Sequence, residues 1–64
     1  MVTATNAVFE MYQDARREWR WRFLIHGEVT ARSYDSYSTK ESCLRGVERV
    51  RRMVGDADVA EQGA

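Results

Sequence analysis

The amino-acid sequence predicts an α+β fold, one β-β-β-α-β unit in which an antiparallel sheet carries a single packed helix. Residues 19–25, "WRWRFLI", set Trp19, Trp21, Phe23 and Ile25 on one side against Arg20, Arg22 and Leu24 on the other, the period-two pattern of a half-buried strand. Cys43, Val47, Val50 and Val54 recur at intervals of three or four and form one helical stripe. Three strand-like runs precede that stripe, one short run follows it, and 64 residues leave room for one domain. That domain is expected over residues 7–61, between a disordered leader (1–6) and a disordered tail (62–64).

The first strand is "AVFEMYQ", β-branched and aromatic, with Phe9 and Met11 sharing a face. "DARR" interrupts the apolar pattern before the second strand, Trp19 to Ile25. A register that opposes Met11 to Trp21 and Phe9 to Phe23 gathers the large rings on one face, which the helix stripe covers. His26-Gly27 fits a two-residue turn, Gly27 supplying a positive φ and His26 tolerating one better than a β-branched residue. Strand three follows at Glu28 to Arg32, with its buried face left open. "SYDSY" supplies turn formers, and "STKE" matches a capping box in which Ser38 caps a helix and Glu41 reaches back to the same end.

The helix is expected from Thr39 to Val54, its stripe flanked by Leu44 and Met53. Glu41, Arg45, Glu48 and Arg52 form a ladder of opposite charges on the solvated side. Gly46 lies within the stripe, where glycine costs about 1 kcal/mol relative to alanine. Close approach of the helix backbone to the tryptophan face is the expected compensation. Gly55 ends the helix, and "DADVAEQGA" has room for a short strand around Ala57 to Glu61.

Composition limits the chemistry. One cysteine (Cys43) excludes an internal disulfide, and with one histidine (His26) a four-ligand zinc site is not expected. No cofactor is expected either. A chain this short buries only about 60% of its unfolded surface, so self-association is the stabilising device left to it. No stretch approaches the roughly 18 apolar residues of a membrane span, and "MVTATNA" has neither the basic region nor the apolar core of an export signal, so a soluble cytoplasmic protein with no membrane partner is expected. Formal net charge is zero, yet all ten basic residues lie between Arg16 and Arg52 with five acids, while the flanks hold five acids and no base. The middle is therefore near +5 and the ends near −5.

No nucleophile–base pair, glycine-rich phosphate loop or carboxylate cluster can be named, so an enzyme is not expected. His26 falls at a turn tip, and Cys43 falls on the apolar stripe, where small buried cysteines are inert. Ser36, Ser38, Thr39 and Ser42 are read as loop and capping residues, with modification of that loop left open. Trp19 and Trp21 are read as core, because burying side chains of that size contributes on the order of 2–3 kcal/mol each. A nucleic-acid or partner contact must then use the opposite sheet face, Arg20 and Arg22 with Tyr12, or the helix arginines Arg45, Arg49, Arg51 and Arg52. Arginines alternating with core residues are also what any exposed sheet face requires, so nucleic-acid (RNA) binding is the alternative rather than the leading expectation.

The run "FEMYQD…EWRWRF…GE…YSTKESCLRGVERV" resembles the YegP-like family (domain of unknown function 1508) over residues 8–60, and this chain corresponds to a single-repeat member. The paired tryptophans, the "YS-K" start of the helix, and Gly46 followed by Val47 recur together in that family at matching spacings. Two loops depart from the pattern: Arg17 stands where a left-handed glycine is common, and His26-Gly27 replaces an asparagine-glycine turn one residue longer. The resemblance implies that two such units join into a single sheet and exchange their last strands. For a chain with one unit it implies a homodimer with a swapped C-terminal strand, a small binding or interaction module whose partner is first of all itself.

Overall fold

Residues 6–63 are described in the computed structural model. Three strands, β1 (Ala7–Gln13), β2 (Trp19–Ile25) and β3 (Glu28–Arg32), precede one helix, α1 (Lys40–Val54). The strands form an antiparallel sheet in the order β1-β2-β3. Phe9 opposes Phe23 and Met11 opposes Trp21, so the alternation predicted from the sequence sets both register and face.

The two hairpin loops are tight. Asp14 and Glu18 close a three-residue loop, with the Asp14 amide donating to the Glu18 carbonyl (2.8 Å) and the Arg17 amide donating to that of Asp14 (2.9 Å). The Asp14 carboxylate also accepts from the amides of Arg16 (2.9 Å) and Glu18 (3.0 Å). Arg17 holds the left-handed position at φ 67°, so the turn keeps its form despite the Cβ. At the second loop His26 and Gly27 both have positive φ, 51° and 81°, the combination a two-residue turn between right-twisted strands requires. Beyond it the pairing moves from Leu24–Val29 to Phe23–Ala31, and the extra residue, Thr30, forms a bulge.

The helix begins one residue later than the capping box predicted. Thr39, not Ser38, is the N-cap, and its hydroxyl accepts from the Ser42 amide at 3.0 Å. Glu41 lies in the first turn, where its charge complements the helix dipole. Cys43 (0% exposed) and Val47 (5%) pack on Trp21 (8%), with Phe9, Met11, Trp19, Phe23, Tyr37 and Val50 around them. Phe9 meets Trp21 edge-on with ring centroids 5.4 Å apart, the favoured aromatic geometry.

The far end of the expected stripe and its flanks are not buried: Val54, Met53 and Leu44 are exposed. The charge ladder is also not realised, since among the described residues Arg20–Asp14 and Arg22–Glu10 are the ion pairs. Gly46 faces Tyr37 rather than the tryptophans. A Cβ there would lie 2.5 Å from the Tyr37 hydroxyl and 2.9 Å from its ring carbon Cζ. Tyr37 is itself fixed to β2 by two backbone hydrogen bonds with Trp19, 2.7 and 2.8 Å long. Gly55 is the C-cap but at φ −69°, a conformation any residue adopts.

The helix packs on β1 and β2 but not on β3, all five residues of which are exposed. No strand forms over Ala57–Glu61: those residues are exposed and unpaired in the single chain. Strand hydrogen bonds need an edge to pair with, and within one chain this tail meets none. Of the expected leader, residues 1–5 lie outside the described residues, as does residue 64 of the tail.

Candidate functional site

The sheet face away from the helix brings Tyr12, Arg20 and Arg22 together, as their positions in the sequence predicted. Arg20 and Arg22 are already engaged. Arg20 Nε lies 2.8 Å from Asp14 Oδ2 and Arg22 Nε 2.6 Å from Glu10 Oε1, and the Arg22 guanidinium sits 4.4 Å from the centre of the Tyr12 ring. The hydrogen bond from Arg20, followed by that from the Glu18 amide, holds the Asp14 carboxyl below its ordinary pKa, and Asp14 in turn raises that of Arg20. The acids of the first strand and its loop thus neutralise the arginines of the second. What remains on this face is Arg32, opposite Arg22 and in no ion pair among the described residues, and an apolar end where Val8 opposes Leu24 and Leu24 opposes Val29.

The helix arginines behave differently. Arg45, Arg49, Arg51 and Arg52 are all exposed and, among the described residues, belong to no ion pair. Arg51 and Arg52 line a shallow hollow with Glu48. The four make one free positive surface on the helix, while Arg16, Arg17, Arg32 and Lys40 are likewise exposed and in no ion pair among the described residues.

The residues weighed as catalytic have structural places. Cys43 is fully buried, and burial pushes its thiol pKa up, which suppresses the thiolate a nucleophile needs. His26 occupies its turn. Ser36 donates to the Glu18 carboxylate, and Thr39 and Ser42 bond one another at the start of the helix. Among the described residues no group of three or more histidine, cysteine or acidic side chains could hold a metal ion, and no helix is long and apolar enough to cross a membrane.

Sequence reasoning missed one feature, an apolar groove of about 140 Å³ between the end of α1 and β3. Phe9, Trp21, Phe23, Ala31, Val50 and Val54 line it. Trp21 also carries a buried indole Nε1–H with no partner among the described residues. The available signal was Val54, the last position of the stripe, together with Ala31, the small apolar residue paired with Phe23. A 15-residue helix lying over β1 and β2 leaves that corner uncovered.

Comparison with known proteins places the chain among uncharacterised relatives. A family model described as "Domain of unknown function (DUF1508)" matches residues 14–61. A UPF0339 protein of Treponema denticola is 41% identical over 54 residues, covering 83% of this chain and 91% of that protein. A UPF0339 protein of Agrobacterium fabrum is 34% identical over 53 residues, covering 83% and 86%. Among solved structures, the NMR solution structure of a protein from Haloferax volcanii is similar with a TM-score of 0.81 at 37% identity, covering 92% of this chain and 100% of that one.

Proposed function

The chain belongs to the YegP-like family of domains of unknown function (DUF1508), and from that premise we propose that it is a non-catalytic interaction module acting in the cytoplasm as a homodimer with exchanged C-terminal strands. One observation carries the reading: the helix leaves β3 and an apolar groove uncovered, while residues 57–61 extend exposed from the same end of the molecule. An unpaired sheet edge is a template for another strand, and a tail without a partner is a strand in search of an edge. Pairing the two between copies supplies the burial that 64 residues lack on their own. Deletion of residues 56–64 therefore exposes edge and groove together, and the truncated protein is expected to aggregate or unfold. A truncated chain that sediments as a stable, soluble monomer contradicts the exchange.

A second reading, nucleic-acid binding, is favoured by the unpaired helix arginines and not by the neutralised sheet face. Phosphate contacts by Arg45, Arg49 and Arg52 would make affinity fall steeply with salt. The expected result is no binding of mixed single- or double-stranded nucleic acid at micromolar protein in about 50 mM salt, where non-specific electrostatic binding is strong. A salt-sensitive complex that the Arg49→Ala/Arg52→Ala double mutant loses would reverse that preference.

A further inference from the structure

The sheet face turned away from α1 is ordered in two rows that cross all three strands. One is apolar: Val8 opposes Leu24, and Leu24 opposes Val29. The next, two residues along β1 and β2 and about 7 Å away, is charged: Glu10 opposes Arg22, and Arg22 opposes Arg32. Neither row is satisfied within the chain. Val8 is 55% and Val29 43% exposed, and among the described residues no element covers them, because the helix packs on the other side of the sheet. Like charges opposite one another on neighbouring strands are unfavourable. The carboxylate of the row, Glu10, is bonded to Arg22 and stands on the strand farthest from Arg32, which is exposed and in no ion pair among the described residues.

We propose that this face binds a protein segment presenting an apolar side chain beside a carboxylate, the apolar group on the Val8–Leu24–Val29 row and the carboxylate between Arg22 and Arg32. Arg22 is prepared for this role. Glu10 takes its Nε, and its guanidinium lies 4.4 Å from the centre of the Tyr12 ring, so the group is held in place while its Nη atoms are left to a ligand. A planar guanidinium matches a carboxylate in shape as well as in charge. The apolar row spans about 10 Å, close to the diameter of one helix with its side chains, so a single helix or extended segment covers it. Other ligands fit less well. Tyr12, the ring on which a nucleobase would stack, is occupied by the Arg22 guanidinium. Three arginines against the two acids that bind them, Glu10 and Asp14, leave the face with a net charge of +1, too little to hold an anionic membrane surface. The inference gives the interaction module proposed above a partner class and does not depend on its dimerisation, since strands pair in the plane of a sheet and leave its faces free.

The test is selection of random peptides displayed on phage against the full-length protein, followed by titration of the selected peptides into isotope-labelled protein. Peptides with an apolar residue next to Asp or Glu are expected, and they should move the NMR signals of Val8, Leu24, Val29, Arg22 and Arg32. Arg32→Glu should weaken their binding about tenfold or more. The same variant should raise the thermal midpoint, because it replaces a like-charge pair between β2 and β3 with an opposite one. Val8→Ser/Val29→Ser should weaken binding to a similar degree with the circular dichroism unchanged. Selected peptides without an acid, peptides that bind the Arg32→Glu variant as tightly as the original chain, or a selection that yields no peptide overturn the proposal. Signals that move at the sheet edge or in the groove instead assign the partner to those surfaces and also overturn it. Single-stranded RNA or phosphatidylserine vesicles that move the signals of this face assign it to phosphate and overturn the protein partner. A monomeric protein by sedimentation overturns the dimer and leaves this binding standing.

Discussion

A side chain at position 46 has no room. Glycine in a helix interior is unfavourable by about 1 kcal/mol against alanine, yet a Cβ at Gly46 would lie 2.5 Å from the Tyr37 hydroxyl and 2.9 Å from Cζ. The Tyr37 main chain is held by two hydrogen bonds to Trp19, so its ring can withdraw only by leaving its packed side-chain rotamer. Gly46→Ala is therefore expected to lower the thermal unfolding midpoint despite its gain in helix propensity. A higher midpoint in that variant would show that Tyr37 moves freely and that the close approach is not what selects glycine. The sequence identified Gly46 as requiring a compensation but not its partner. Tyr37 lies in the connection before α1, and its distance from the helix is set by the isolated bridge to β2, which no local pattern reveals.

Among the elements, the two hairpins carry the most information in the least sequence. Arg17 at φ 67° forces a Cβ into a conformation that disfavours L-residues by about 1–2 kcal/mol. Arg17→Gly is expected to stabilise the protein, by up to about 1 kcal/mol once the greater freedom of glycine in the unfolded chain is set against the relieved strain. The midpoint of chemical denaturation measures it, and a destabilised variant would mean that the loop carries no strain. The strands and their register were legible because period-two alternation admits only one buried face: a shift of one residue would turn Trp19, Trp21 and Phe23 to solvent. The helix start was legible only to within a residue. Ser38 and Thr39 are both capping residues, and the backbone, extended at Thr39 with φ −129° and ψ 156°, decides between them. Least legible was the end of the chain. The stripe runs to Val54 in sequence, but Val54 is 63% exposed, because burial of a stripe also needs a surface opposite it, and β3 is not covered by the helix.

At the scale of the molecule, the polarity of the chain is only partly resolved within one copy. Glu10 and Asp14 neutralise Arg22 and Arg20 across the first hairpin, which accounts for the acids of the leading flank. The acids of the trailing flank, Asp56, Asp58 and Glu61, remain exposed, as do the arginines of the helix and of β3. Apolar surface follows the same division: Phe9, Trp19, Trp21 and Phe23 are packed beneath the helix, while Val54, Val59 and the groove are not. Arg51 and Arg52, the exposed Val54 and the groove all lie at the end of α1, from which the tail leaves. The proposed dimer supplies what each of them lacks. The most direct measurement is the mass of the full-length protein by analytical ultracentrifugation across a dilution series at neutral pH. The account predicts the mass of two chains at micromolar concentration, with dissociation accompanied by loss of the folded state. A well-folded species with the mass of one chain throughout the series would contradict it.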